Sequence, residues 1–169
     1  MKEKTNDNII KLAVLFYTCS IIGYIYEVIL ALIMDGKLTN PGILTGPWLP
    51  IYGTGSLIIS LFNKFKRKPL IIFLCSFFSS GILEYICGYI LLEFFNKRLW
   101  DYTGWFLNID GFVCFLSAFC FAAGSLIIIY YLMPLINKIV RRTNTVITKA
   151  VLITLSILFL GDIILQVAK

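Results

Sequence analysis

The stretch Asn40-Pro-Gly-Ile-Leu-Thr-Gly-Pro-Trp-Leu-Pro-Ile-Tyr-Gly-Thr-Gly55 decides how this chain is read. It spends three prolines and four glycines in sixteen residues, immediately before an apolar run. Pro47 and Pro50 break or kink a helix, and the glycines admit dihedrals closed to other residues. The apolar block that contains its end, Trp48 to Phe62, has only fifteen residues. As a helix that is about 22 Å, against a hydrocarbon core of about 30 Å. To reach the far surface the chain must use the Pro/Gly residues themselves. Irregular backbone at membrane depth is tolerated only where it is buried in protein or lines a wet cavity. The stretch therefore predicts a partly inserted, re-entrant loop; the alternative is a tight exposed turn with Trp48 and Tyr52 as interfacial anchors.

The surrounding composition supports a membrane setting. The 169 residues are 59% hydrophobic and 14% charged, with a mean hydropathy of +0.89. Apolar blocks run roughly over 9–34, 48–62, 69–95, 112–133 and 146–167. Each other block has the length of a spanning helix, so the expectation is an all-α polytopic membrane protein, one domain over 1–169, with about five transmembrane helices. Open sheets cannot satisfy their edges in lipid, and a barrel would alternate residue by residue. A cleavable signal peptide is not expected, because the first block is long and carries Glu27.

Lys and Arg fix the expected orientation. Lys2, Lys4, Lys11, the cluster Lys64, Lys66, Arg67 and Lys68, then Lys138, Arg141, Arg142 and Lys149 fall on one side, eleven residues against Lys37, Lys97, Arg98 and Lys169 on the other. The excess marks the cytoplasmic face, with the N-terminus inside and the C-terminus outside the cell membrane. The net charge of +6 then belongs to helix ends near lipid headgroups, and no nucleic-acid partner is expected. The five cysteines lie inside apolar blocks without C-x-x-C spacing and read as small core residues, with no disulfide and no metal.

The acids carry the functional reading. Glu3 and Asp7 belong to the N-terminal arm; Glu27, Asp35, Glu84, Glu93, Asp101, Asp110 and Asp162 all fall toward the outer side. Glu27 and Glu84 each stand sixteen residues beyond a lysine, Lys11 and Lys68, which places both about 24 Å above the inner surface. Their helix faces are lined with small residues: Ser20, Gly23 and Ala31 beside Glu27, and Ser76, Ser80, Gly81, Cys87 and Gly88 beside Glu84. Such faces point into a bundle. An intramembrane carboxylate costs at least about 2.5–3.5 kcal/mol and marks a functional site by default. The expectation is an outward-facing acidic pocket built on Glu27 and Glu84 and capped by Gly46, Pro47, Pro50 and Gly53, with Trp48, Tyr52 and Tyr85 in its walls. The loop 96–111 adds Asp101, Asn108 and Asp110, with Arg98 neutralising one acid. The alternative is that the acids hydrogen-bond to tyrosine or tryptophan groups as interhelical glue; for Asp162 and Glu93 this plainer reading is preferred.

An offset of 57 residues pairs Lys11 with Lys68, Glu27 with Glu84 and Trp48 with Trp105, an echo weak enough to read as chance. There is no histidine and no G-x-x-x-x-G-K-[ST] motif, so zinc hydrolysis, Ser-His chemistry and self-contained ATP hydrolysis are not expected. No cofactor is expected. Acid/base chemistry on Glu27 and Glu84 is a third reading.

Taken in order, "GYIYEV", "GPWLPIYGTG", "LEYICGYILLE" and "WDYTGWFLNIDGFVC" resemble the ABC-transporter type IV, or CmpB-like, family of small membrane permeases over roughly residues 15–125. The positions that carry the resemblance are Glu27, Gly46, Pro47, Pro50, Tyr52, Gly53, Glu84, Tyr85, Trp100, Asp101, Asn108 and Gly111. The resemblance implies a permease-like subunit binding a small solute or cation, with a separate ATPase, a membrane partner or a second copy of the chain beside it. The competing function is a non-transporting membrane scaffold or lipid-binding regulator.

Overall fold

A computed structural model describes residues 2–168, the side chains of 2–6 and 35 excepted. The charges counted above on Lys2, Glu3, Lys4, Asp35 and Lys169 lie outside the described residues. Among the described residues no strand forms. The helices are α1 (Lys2–Asp35), α2 (Pro50–Leu61), α3 (Pro69–Phe95), α4 (Phe115–Ile127), α5 (Met133–Arg142) and α6 (Thr145–Val167). A 3₁₀ turn, Phe62–Phe65, prolongs α2, and a π turn, Ile128–Leu132, joins α4 to α5. Four segments are long and apolar enough to cross a membrane: Asp7–Met34, Pro69–Phe95, Phe115–Arg142 and Thr145–Val167. With α4, the π turn and α5 taken as one rod, the helix left over is α2, the short one that the Pro/Gly stretch predicts.

The fourth block does not end at Met133 as its composition suggests but continues to Arg142. Pro134 has no N–H to offer the carbonyl four residues back, which would stop or kink an α-helix. The π turn just upstream absorbs this misfit by shifting the ladder: Met133 N–H bonds to the Ile128 carbonyl, five residues earlier.

The ends of the other helices follow local chemistry. Pro69 opens α3 where a missing N–H costs nothing, and Asn96 closes it in the left-handed conformation (φ 48°). Asn144 caps α6 by accepting the Val146 N–H at 2.8 Å. Cys114 and Ser117 cap α4 reciprocally.

The chain divides into two compact units, Met1–Thr54 with Pro134–Lys169, and Gly55–Met133. In the first, α1 and α6 run in the same direction. Tyr17 donates its hydroxyl to Ser156 Oγ at 2.9 Å, and Phe159 meets Phe16 and Tyr17 edge-on at centroid separations of 5.6 and 6.0 Å. The segment after α1 folds back along it, and the Leu49 N–H bonds to the Ser20 carbonyl at 3.0 Å. Ser20 lies fifteen residues, about 22 Å, below the end of α1 at Asp35. The helix α2 therefore starts near mid-height of the α1 span, and residues 36–49 lie along the C-terminal half of α1 as irregular backbone. Leu44, Trp48 and Leu49 are buried. Close approach of α2 to α1 depends on glycine: a Cβ at Gly23 would enter the Tyr52 ring, and one at Gly53 would meet Ser20 and Phe16.

In the second unit α3 and α4 run in opposite directions. Phe77 meets Phe115 at 5.5 Å and Phe73 meets Phe119 at 5.4 Å, while Ile59, Ile72 and Ile129 form the buried core below. The loop 96–114 also folds back: Phe112 is buried against Gly88, where a Cβ would lie 2.7 Å from its ring. Cys19 and Cys114 are buried and Cys75 and Cys87 half-buried, but Cys120 is exposed rather than part of a core, because it lies on a face of α4 that no described residue covers.

Candidate functional site

The two glutamates for which the sequence predicts a common depth occupy different compact units, Glu27 in the first and Glu84 in the second. In the first unit Glu27 is half-buried on α1 and accepts a hydrogen bond from the hydroxyl of Tyr52. Side chains of a helix lean toward its N-terminus, so Tyr52, in the first turn of α2, points back up alongside Gly23 to reach Glu27. Tyr26 packs edge-on to Tyr52 at 6.4 Å. Among the described residues Tyr52 is the single hydrogen-bond partner of this carboxylate, which has about four lone-pair positions.

Asp162 does what the plainer reading expected, with partners that the sequence did not disclose. It is 8% exposed and accepts the Thr45 N–H at 3.0 Å, the Gly46 N–H at 2.8 Å and the Trp48 indole N–H at 2.9 Å. One carboxylate on α6 thus satisfies the donors of the re-entrant segment, which hydrocarbon would leave unpaired. Asn40 completes the fold of the segment by donating to the Leu44 carbonyl at 2.7 Å and accepting the Gly42 N–H at 3.1 Å. Trp48 is accordingly 7% exposed, whereas its sequence echo Trp105 is 43% exposed and plays no such part. Of the loop residues, Gly46 supplies an amide to Asp162, Pro47 is exposed at the bend, Pro50 opens α2 and Gly53 is buried against α1.

In the second unit Glu84 is 3% exposed. Ser117, in the first turn of α4, donates to its Oε2 at 2.8 Å, and Tyr102 donates to its Oε1 at 3.0 Å. Tyr85, one residue on, turns the other way and donates to Asp110 at 2.8 Å. Arg98 pairs with Asp101 at 3.1 Å, donates to the Asp110 carbonyl at 2.8 Å and lies over the Phe112 ring at 5.2 Å. Its expected neutralising role falls on Asp101. The Thr103 hydroxyl and amide, at 2.6 and 2.9 Å, hold the Asp101 carboxyl below the ordinary carboxylate range, and Arg98 acts in the same sense. Gly111, at φ +69°, is wedged against Arg98, Asp101 and Thr103, so only glycine suits both the dihedral and the space. Asn108 bonds locally, donating to the Trp105 carbonyl at 2.9 Å. Trp100 donates to the Phe112 carbonyl at 2.8 Å. Beside these residues an apolar crevice of about 380 Å³ runs past Phe77, Ile82, Tyr85, Val113 and Phe115.

No group of three or more metal-ligating side chains comes together among the described residues. What does come together is a set of acid–donor clusters, each joining a connecting loop or the start of a following helix to a long apolar helix.

Four segments long and apolar enough to span, a half-length helix starting at mid-height of α1 and two folded-back loops define a polytopic, all-helical membrane protein. The family model described as "Putative ABC-transporter type IV" matches residues 14–167, and the chain belongs to that family. The match extends beyond the motif-bearing residues to include α6 and Asp162. No curated protein and no solved structure matches the chain.

Proposed function

We propose that this protein is a permease-like subunit of the cell membrane, with its N-terminus cytoplasmic and its C-terminus outside, that binds a small cationic solute or a proton at Glu27. The observation that carries the reading is the state of that carboxylate: it is intramembrane, half-buried, and held by Tyr52 alone among the described residues. An acid kept at that depth with spare acceptor capacity is suited to a positive ligand. A half-helix that starts at mid-membrane beside it is a feature of transporter binding sites. The parallel course of α1 and α6 supports termini on opposite faces. Glu84 is a separate candidate acid of the other compact unit, with Tyr102 and Ser117 fixing its orientation. Asp101, Asp110 and Asn108 shape the outer loop of the second unit. Since the chain has no phosphate-binding loop, energy for uphill transport would come from a separate ATPase.

Flux of monovalent cations and small amines into proteoliposomes, with and without a candidate ATPase, tests this. Glu27→Gln should abolish flux while leaving thermal stability in detergent within about 1 kcal/mol, since Gln can still accept from Tyr52. Tyr52→Phe should reduce flux in the same assay. Unchanged flux in Glu27→Gln refutes the proposal.

A scaffold reading has its own support: Glu84 and Asp162 are both buried and hydrogen-bonded as structural ties. It predicts no flux from the wild type, and a loss of stability, not of ligand binding, in Glu84→Gln.

A further inference from the structure

Three spans have polar ends that meet in the first unit, far along α1 from Glu27: Asp7–Met34 and Thr145–Val167 begin there, and Phe115–Arg142 ends there. Between them lies a cavity of about 210 Å³ lined by Asp7, Lys11, Arg141, Thr143, Thr145 and Thr148. Among the described residues neither Lys11 nor Arg141 forms an ion pair, and Asp7 pairs with neither. Two cations against one carboxylate leave a positive charge uncompensated in a space partly walled by Ile10 and Val140. The end of α6 is not the source of this field, because Asn144 already takes its leading amide. Thr143 and Thr148 donate to the Ile139 and Asn144 carbonyls, at 3.0 and 3.2 Å, so Thr145 holds the hydroxyl proton still open to a ligand.

We propose that this cavity binds a singly charged phosphate group, its oxygens shared between the Arg141 fork, the Lys11 ammonium and the Thr145 hydroxyl. A phosphate ester matches the charge, and its several oxygens suit one planar and one point donor. The cavity sits where spans leave the hydrocarbon, at the depth of lipid phosphates, and basic pockets between membrane helices on the cytoplasmic side bind anionic headgroups. Lys138, Arg142 and Lys149, close by in sequence, raise the local anion concentration. The group can come from an anionic phospholipid or from a soluble phosphate.

The test is native mass spectrometry of the full chain in detergent, titrated separately with phosphatidylglycerol, phosphatidylcholine, glycerol phosphate and inorganic phosphate. The expected result is retention of phosphatidylglycerol in preference to phosphatidylcholine, weakened about tenfold or more by Lys11→Gln with Arg141→Gln. Each single change should weaken it by less, which covers the case of a double variant that does not fold. Lys11→Arg with Arg141→Lys should keep binding. Lys64→Gln with Lys66→Gln, an equal loss of charge elsewhere, should also keep it, as should Glu27→Gln. Displacement by millimolar glycerol phosphate or inorganic phosphate would assign the site to soluble phosphate, and retention against them to lipid. Equal retention of the two lipids with no binding of either soluble phosphate overturns the proposal. So does an equal loss in the Lys64 and Lys66 variant, which would reduce the effect to general surface charge.

Discussion

Replacing Asp162 by leucine isolates the tie between α6 and the re-entrant segment, since leucine keeps the volume and removes every acceptor. Three hydrogen bonds disappear, to the Thr45, Gly46 and Trp48 donors. Thr45 is exposed, so water can replace its bond, whereas Trp48 is 7% exposed and Gly46 is half-buried. Two buried bonds to a charged acceptor are worth about 1.5–3 kcal/mol each, net of desolvation. Bonds inside membranes fall at or below the low end of such ranges, so about 3 kcal/mol is the expected loss. Local opening of the segment should then increase by more than about a hundredfold. Hydrogen–deuterium exchange of the peptide covering residues 40–50, compared with a peptide in α3 as internal standard, reads this directly. Asp162→Asn keeps one oxygen for Gly46 and Trp48 and should lose about half as much. Protection of Gly46 and Leu49 within about twofold of wild type in Asp162→Leu would refute the anchoring role.

In the second unit, Gly88→Ala should destabilise by about 1–3 kcal/mol by driving a methyl into Phe112, while Gly124→Ala, with nothing within 4 Å, should be neutral or gain up to about 1 kcal/mol; thermal melts in detergent compare the two. Ser117→Ala removes the Ser117 Oγ half of the reciprocal cap of α4 and a donor to Glu84, and should cost about 1–2 kcal/mol in the same melts. The Asp101 carboxyl titrates below its unfolded range, so its contribution to the loop 96–111 is present above about pH 4 and is lost as pH falls through the lower folded value. Trp100 and Trp105 fluorescence should report a loosening in that acidic window, and Asp101→Asn should remove the step.

The helix pattern and the broken second segment were legible because both follow from local quantities: run length against bilayer thickness, and the backbone limits of proline and glycine. The continuation of the fourth rod through Pro134 was not, since composition marks a proline as a stop and gives no hint that a π turn upstream will absorb it. The acids were legible as intramembrane charges, and Arg98 as a neutralising cation. Their partners were not. Asp162 stands 117 residues from Thr45, and Ser117 stands 33 from Glu84; no periodicity links residues across such separations. The pairing of Trp48 with Trp105, read as chance, has no counterpart in their surroundings. Trp48 is defined by the acceptor it meets on α6, and Trp105, with no such acceptor, remains at the surface.

The anchor on α6 also sets an order of events during synthesis. Thr45 and Gly46 precede Asp162 by 117 and 116 residues, so at translation rates of about 5–20 residues per second the segment waits roughly 6–23 s for its acceptor. During that interval α1 and the nascent α2 must keep the unpaired amides wet or guarded by the insertion machinery. The helix α6 thus completes the segment that follows α1, and a chain cut short before Asp162 would display that segment unfinished to quality-control proteases.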